Sequence, residues 1–179
     1  MLKKPHPLGG TCDTYAISQL PTETPKPIES ATKPQLTITS EPNGAEIEID
    51  GEFIGNTLST NGNISIQVAE SAAPTITGNT IEGRAVYAVL LRDDAGGTVS
   101  NNTITDHIFG IQIVDRAAPS IVENDFRDIA LTSIVYTDSA SGEALRNTCQ
   151  ESGLSAGISV SAPADPTLTG NECSITRSS

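Results

Sequence analysis

The stretch AAPTITGNTI, residues 72–81, recurs as AGGTVSNNTI from Ala95, APSIVENDF from Ala118, ASGEALRNTC from Ala140 and ADPTLTGNEC from Ala164. One asparagine anchors each copy, Asn79, Asn102, Asn124, Asn147 and Asn171, at spacings of 23, 22, 23 and 24 residues. Around that anchor the register holds. Ile76, Val99, Ile121, Ala144 and Leu168 stand three before it, and Ile81, Ile104, Phe126, Cys149 and Cys173 two after. Alanine stands seven before it throughout (Ala72, Ala95, Ala117, Ala140, Ala164), and Pro74, Gly97, Pro119, Gly142 and Pro166 five before, as suits a corner. Upstream, Val89-Leu90-Leu91, Ile111-Gln112-Ile113, Ile134-Val135-Tyr136 and Ile158-Ser159-Val160 alternate with the period of short strands, and Ile66 and Val68 extend them one turn earlier. A period near 23 built from short strands and turns predicts an all-β stacked solenoid in which like side chains lie on like. The asparagines then form a buried corner ladder, each amide bonding the coils above and below. Truncating Asn124 to alanine should cost about 1–3 kcal/mol through unpaired neighbours.

These phrases resemble the right-handed parallel β-helix repeats of secreted and cell-surface proteins, the pectate-lyase-like solenoids. The resemblance covers about residues 64–176 and implies about five to six coils, roughly 25–30 Å long. It implies little about activity, because that family holds polysaccharide lyases and hydrolases, phage spikes, adhesins and non-catalytic modules. Residues 35–58 resemble a second family. Gln35–Ser40 alternates, Glu41-Pro42-Asn43-Gly44 turns, Ala45–Ile49 alternates again, and Asp50-Gly51 precedes Glu52-Phe53-Ile54-Gly55. That order is similar to the PEGA module, a small β domain of envelope proteins, matched at Ser40, Pro42, Gly44, Ala45, Ile47, Ile49, Asp50, Gly51, Gly55, Asn56 and Thr57. Leu58 stands where the module has proline. The same segment also fits a shortened first coil, since Asn56 lies 23 before Asn79 with Phe53 and Leu58 in the two apolar columns. The reading favoured here is a small β cap fused onto the solenoid of residues 59–179.

Residues 1–34 hold six of the eleven prolines among Thr, Ser, Glu and Lys, the composition of a disordered, solvated linker. All four lysines lie there. Beyond residue 33, 19 acids face six arginines, a balance of −13 that repels nucleic acid and anionic lipid. No apolar run approaches a membrane span, and Pro5-His6-Pro7 interrupts any signal peptide opening at Met1. A secreted or cell-surface location is therefore implied only by the family resemblance. Cys149 and Cys173 share a column about one strand spacing apart and are read as two small buried apolar residues rather than a disulfide. His6 and His107 are both read as solvated.

Enzymes of the resembled fold place acids and bases on outward strand positions of adjacent coils. Here those positions are Leu90, Gln112, Val135 and Ser159, then Arg92, Val114, Thr137 and Ser161. They carry no carboxylate, so the paired acids of glycoside hydrolysis cannot be built there. Glu70, Asp93, Asp115 and Asp138 form an acidic column nine before each anchor, a weak calcium candidate that Arg92 and Arg116 could neutralise instead. The Thr-x-Thr steps at Thr75, Thr98 and Thr167 are broken at Val122, Glu143 and Leu145, so no uniform ice-binding face survives. The expectation is a non-catalytic structural or adhesive module with no cofactor. It would meet a protein or envelope partner through Leu90, Gln112, Val114, Val135, Thr137 and Ser159, or its own kind end to end through an uncapped last coil. A carbohydrate-binding or carbohydrate-processing solenoid is the alternative.

Overall fold

A computed structural model describes residues 37–40, 51–60, 62–150 and 156–179; the linker and the Ala45–Ile49 strand lie outside them. Three short strands per coil follow from β-branched residues punctuated by sharp corners. After β1 (Thr37–Ser40), the first coil holds β2 (Glu52–Ile54), β3 (Thr57–Thr60) and β4 (Ile64–Val68). The next holds β5 (Thr75–Thr77), β6 (Thr80–Gly83) and β7 (Tyr87–Leu91), and the third β8 (Thr98–Ser100), β9 (Thr103–Thr105) and β10 (Phe109–Ile113). Then come β11 (Ser120–Val122), β12 (Asp125–Arg127) and β13 (Thr132–Tyr136), followed by β14 (Glu143–Leu145), β15 (Thr148–Cys149) and β16 (Ala156–Ser161), and last β17 (Thr167–Thr169) and β18 (Ile175–Ser178). They stack as three parallel sheets, ordered β2-β5-β8-β11-β14-β17, β1-β3-β6-β9-β12-β15 and β4-β7-β10-β13-β16-β18. This is the expected all-β, right-handed parallel solenoid, of about five turns.

The corners explain the composition. The residue before each ladder asparagine (Gly55, Gly78, Asn101, Glu123, Arg146, Gly170) has a positive φ of 51–67°. That kink swings the asparagine inward between the first and second sheets. Behind the third sheet a four-residue turn closes each coil, as in Ala95 N–H to Arg92 O (3.1 Å) and Ala117 N–H to Val114 O (3.1 Å). Its second residue is again left-handed, Glu70, Asp93, Asp115 or Asp138, and its last is an alanine of the alanine column, buried at Ala95, Ala117 and Ala140 and partly buried at Ala72. Short acidic side chains tolerate this conformation better than most.

The interior is one layer of stacked apolar residues, and their sizes are matched across it. Phe126 on the second sheet is fully buried opposite Gly110 on the third. A Cβ at Gly110 would come within 2.8 Å of the Phe126 ring and 2.3 Å of Ser133 O. Tyr136 points inward, as its strand alternation predicts, and no polar partner reaches its hydroxyl. Burial raises its pKa.

Three expectations need correction. Glu52–Ile54 pairs in register with Thr75–Thr77 and Thr57–Thr60 with Thr80–Gly83, so residues 52–60 belong to the solenoid as its first coil. Cys149 and Cys173 are disulfide-bonded, with Cα atoms 5.0 Å apart. Here the ladder has shrunk to the single bridge Thr148–Glu172. Cys173 is thus not held at the spacing and direction of a regular strand, and the separation falls in the range a disulfide spans. Third, His107 is buried, 1% exposed, in an inward position between the buried Ala85 and Ile129.

Candidate functional site

The asparagine ladder is realised along the whole solenoid. Asn79, Asn102, Asn124 and Asn147 are buried and Asn171 partly so. Each side-chain oxygen accepts from the preceding coil: Asn102 N–H and Nδ2–H both donate to Asn124 Oδ1 (3.1 and 2.9 Å), and the Asn124 pair donates to Asn147 Oδ1 (2.9 and 3.0 Å). Each Nδ2 also reaches a first-sheet carbonyl, as Asn124 does at Val99 O (2.9 Å). Asn56 joins the ladder below Asn79. Every amide is spent on its neighbours, and the column offers a ligand nothing.

The acidic column is built by the same logic at an exposed corner. Glu70 N–H donates to Asp93 Oδ2 (3.1 Å), Asp93 N–H to Asp115 Oδ2 (3.0 Å) and Asp115 N–H to Asp138 Oδ2 (3.5 Å). Carboxylates that point down the column at backbone N–H groups do not converge on one point. Among the described residues no three acids, histidines or cysteines gather as metal ligands. Beside the column, Arg116 grips Asp94 with two 2.7 Å hydrogen bonds and so lowers the Asp94 pKa. Both groups are exposed, so the pair adds little stability.

A serine and a histidine lie in hydrogen-bond contact: Ser65 Oγ is 3.0 Å from His107 Nε2, and His107 Nδ1 is 2.6 Å from Thr105 O. A carbonyl only accepts, so Nδ1 carries the proton and Nε2 accepts from the hydroxyl. The contact is that of a nucleophile with its base, yet Ser65 is 0% and His107 1% exposed. No substrate reaches it. Burial lowers the His107 pKa against the smaller opposing effects of the Thr105 carbonyl and the neighbouring Asp106. The inward column shared with Ala85 and Ile129 was the signal that sequence reading missed; a one-residue shift in coil length there hid it.

That leaves the outer face of the third sheet. Gln67, Leu90, Gln112, Val135, Ser159 and Thr176 run in one ladder across its six strands, and through Ser159 they are half-buried. Arg92, Val114 and Thr137 follow their strands directly, held by N–H bonds to Val68 O (3.0 Å), Leu91 O (3.0 Å) and Ile113 O (3.1 Å), and Arg92 is the one charge in that column. The face residues named from sequence are thus brought together. The structure adds Tyr87 and Phe109, which start β7 and β10 on the same face instead of preceding the strands. Strict alternation back from Leu91 and Ile113 would turn both inward, but each of these strands buries two successive residues, such as Ala88 and Val89. The two rings stack, centroids 5.4 Å apart and 17° from coplanar. β4, β7, β10, β13 and β16 contain no acid or base at all. By contrast, Glu82, Asp125 and Arg127 stand on the second sheet and Glu52 and Glu143 on the first.

A family model described as a right handed beta helix region matches residues 36–179 and so runs through the segment resembling a PEGA module. No curated protein and no solved structure matches the chain.

Proposed function

Because the chain belongs to the right-handed β-helix family, whose fold leaves activity open, we propose that it is a non-catalytic binding module of a secreted or cell-surface protein. Its partner surface is the outer face of the third sheet. The uncharged character of five successive strands on a chain of net charge −12 carries this reading. A broad flat face without charge sheds water more readily than the rest of the surface, and a solenoid repeats its weak contacts at fixed spacing. The Cys149–Cys173 disulfide supports an oxidising compartment. Absence of acids and bases from the face supports binding rather than catalysis.

The Tyr87–Phe109 pair favours carbohydrate as the second reading, since aromatic rings are platforms for sugars. Their stacking, however, turns the ring faces toward each other and leaves mainly edges for a ligand. A glycan array on the purified protein separates the two. The expected result is no saturable glycan binding. A saturable hit lost with Gln112→Ala and indifferent to Val135→Asp would replace protein contact by saccharide contact.

A further inference from the structure

The uncharged face is bounded on both sides by acids. On the side where strands enter, Asp106 and Asp128 sit at exposed left-handed corners. Where strands leave, the Glu70–Asp138 column runs parallel to the solenoid axis. Arg84, Arg92, Arg116 and Arg127 are the cations at these borders; ion pairs commit Arg92, Arg116 and Arg127 to Asp93, Asp94 and Asp125, so Arg84 alone offsets Asp106 and Asp128 and both borders remain net acidic. Among the described residues the exposed large apolar side chains are Ile108, Leu131 and Ile175, at 37, 45 and 50%. Ile108 and Leu131 lie on the turns leading into the third sheet, whereas Ile175, in register with the buried Ile158, faces the open end of the interior. Among the described residues the exposed apolar pair Ile108 and Leu131 thus adjoins the uncharged face, which negative charge fences on both sides.

Resting on the protein-contact reading above, we infer that this face takes a cationic amphipathic helix lying along the solenoid axis, with Lys or Arg on both flanks of its apolar stripe. The dimensions fit. A five-residue strand makes the strip about 13 Å wide, and five strands make it about 19 Å long. A helix is about 10–12 Å across, and about 13 residues of it cover 19 Å. The strip lies on a sheet face and not on a free edge, so side-chain packing of a helix suits it better than strand addition. Cationic flanks facing two acidic borders align the helix with the solenoid axis and speed encounter.

The probes are three synthetic 14-residue helical peptides, Leu/Lys, Leu/Glu and Ser/Lys, titrated against the full chain by fluorescence anisotropy. The Leu/Lys peptide should bind at least tenfold tighter than the other two and weaken severalfold between low and high salt. Val135→Lys, placed mid-strip, should weaken it at least tenfold, while Thr103→Lys adds the same charge to the second sheet and should change binding less than twofold. Melting curves of both variants confirm folding, and Leu90→Ser serves if Val135→Lys melts early. Leu/Glu binding as tight as Leu/Lys would overturn the cationic helix and leave the contact face standing. Equal binding of Ser/Lys, showing charge alone at work, would overturn the helix too. Leu/Lys binding that ignores Val135→Lys, or no binding by any peptide, would remove the contact face along with it.

Discussion

Asn124→Ala tests the ladder in the middle of its run. The side chain makes four hydrogen bonds: Nδ2 to Val99 O and to Asn147 Oδ1, and Oδ1 from Asn102 N–H and Nδ2–H. Truncation does not strand all the partners. The Asn102 amide keeps Ile76 O at 3.0 Å, and Asn147 Oδ1 keeps the Asn124 backbone N–H at 2.9 Å. The Asn102 backbone N–H is left with nothing, inside a residue 1% exposed. An orphaned buried donor costs about 1–3 kcal/mol and each weakened bond roughly 0.5–1.5, so after relaxation the loss is about 3–5 kcal/mol. That exceeds the 1–3 kcal/mol expected from sequence, because one amide serves two coils. Asn171→Ala is the comparison. Its loss also orphans a buried backbone N–H, that of Asn147, but Asn171 makes three side-chain bonds instead of four and is itself partly exposed, so water reaches the gap and the cost falls to about 2–3 kcal/mol. Urea unfolding followed by far-ultraviolet circular dichroism measures both. A loss below about 1 kcal/mol at Asn124, or equal losses at the two sites, would refute this accounting.

His107 should make the protein acid-sensitive. Its folded pKa is depressed by burial below the unfolded value of 6.5, so its stability contribution is complete above pH 6.5 and drains away as pH falls toward the folded pKa. The Ser65→Ala/His107→Leu pair should flatten melting temperature against pH from 7.5 to 5.5, and an unchanged slope would contradict it. Thiol titration of the unfolded, unreduced chain should find one thiol out of three cysteines, and Cys149→Ser/Cys173→Ser should cost about 3 kcal/mol for a loop of this length. Finding three thiols would disprove the bridge. Tyr136→Phe removes a buried hydroxyl that has no partner, so stability should stay level or rise by up to about 1 kcal/mol. A clear loss would mean that a buried water serves that hydroxyl.

The fold was legible because its signal is repeated: one weak pattern sampled five times fixes the register of Ile76, Ile81 and Asn79 and of everything stacked on them. What repetition could not show were the places where coils differ. His107 became buried where two neighbouring coils differ by a residue, and Cys173 met Cys149 where the regular ladder gives out. Tyr87 and Phe109 reached the outer face because their strands bury two residues running, which a strict period of two forbids. Such departures are local and occur once or twice each, so averaging over repeats erases them. The uncharged face was readable as a list of residues. Its acidic borders as a frame were not, because they combine corners from opposite ends of the strands.

One column says how such a chain can grow. Five residues before each anchor, glycine and proline alternate without a break: Gly51, Pro74, Gly97, Pro119, Gly142, Pro166. Gly51, Gly97 and Gly142 have φ of 115, 83 and 88°, which proline cannot adopt. A Cβ at Gly97 or Gly142 would lie 2.2 Å from the carbonyl oxygen of Pro74 or Pro119 in the coil before. Neighbouring coils are therefore not interchangeable, although their strands are. The unit that can be duplicated or excised without a misfit at the seam is a pair of coils, and lineages descended by such slippage should differ from this chain by even numbers of turns.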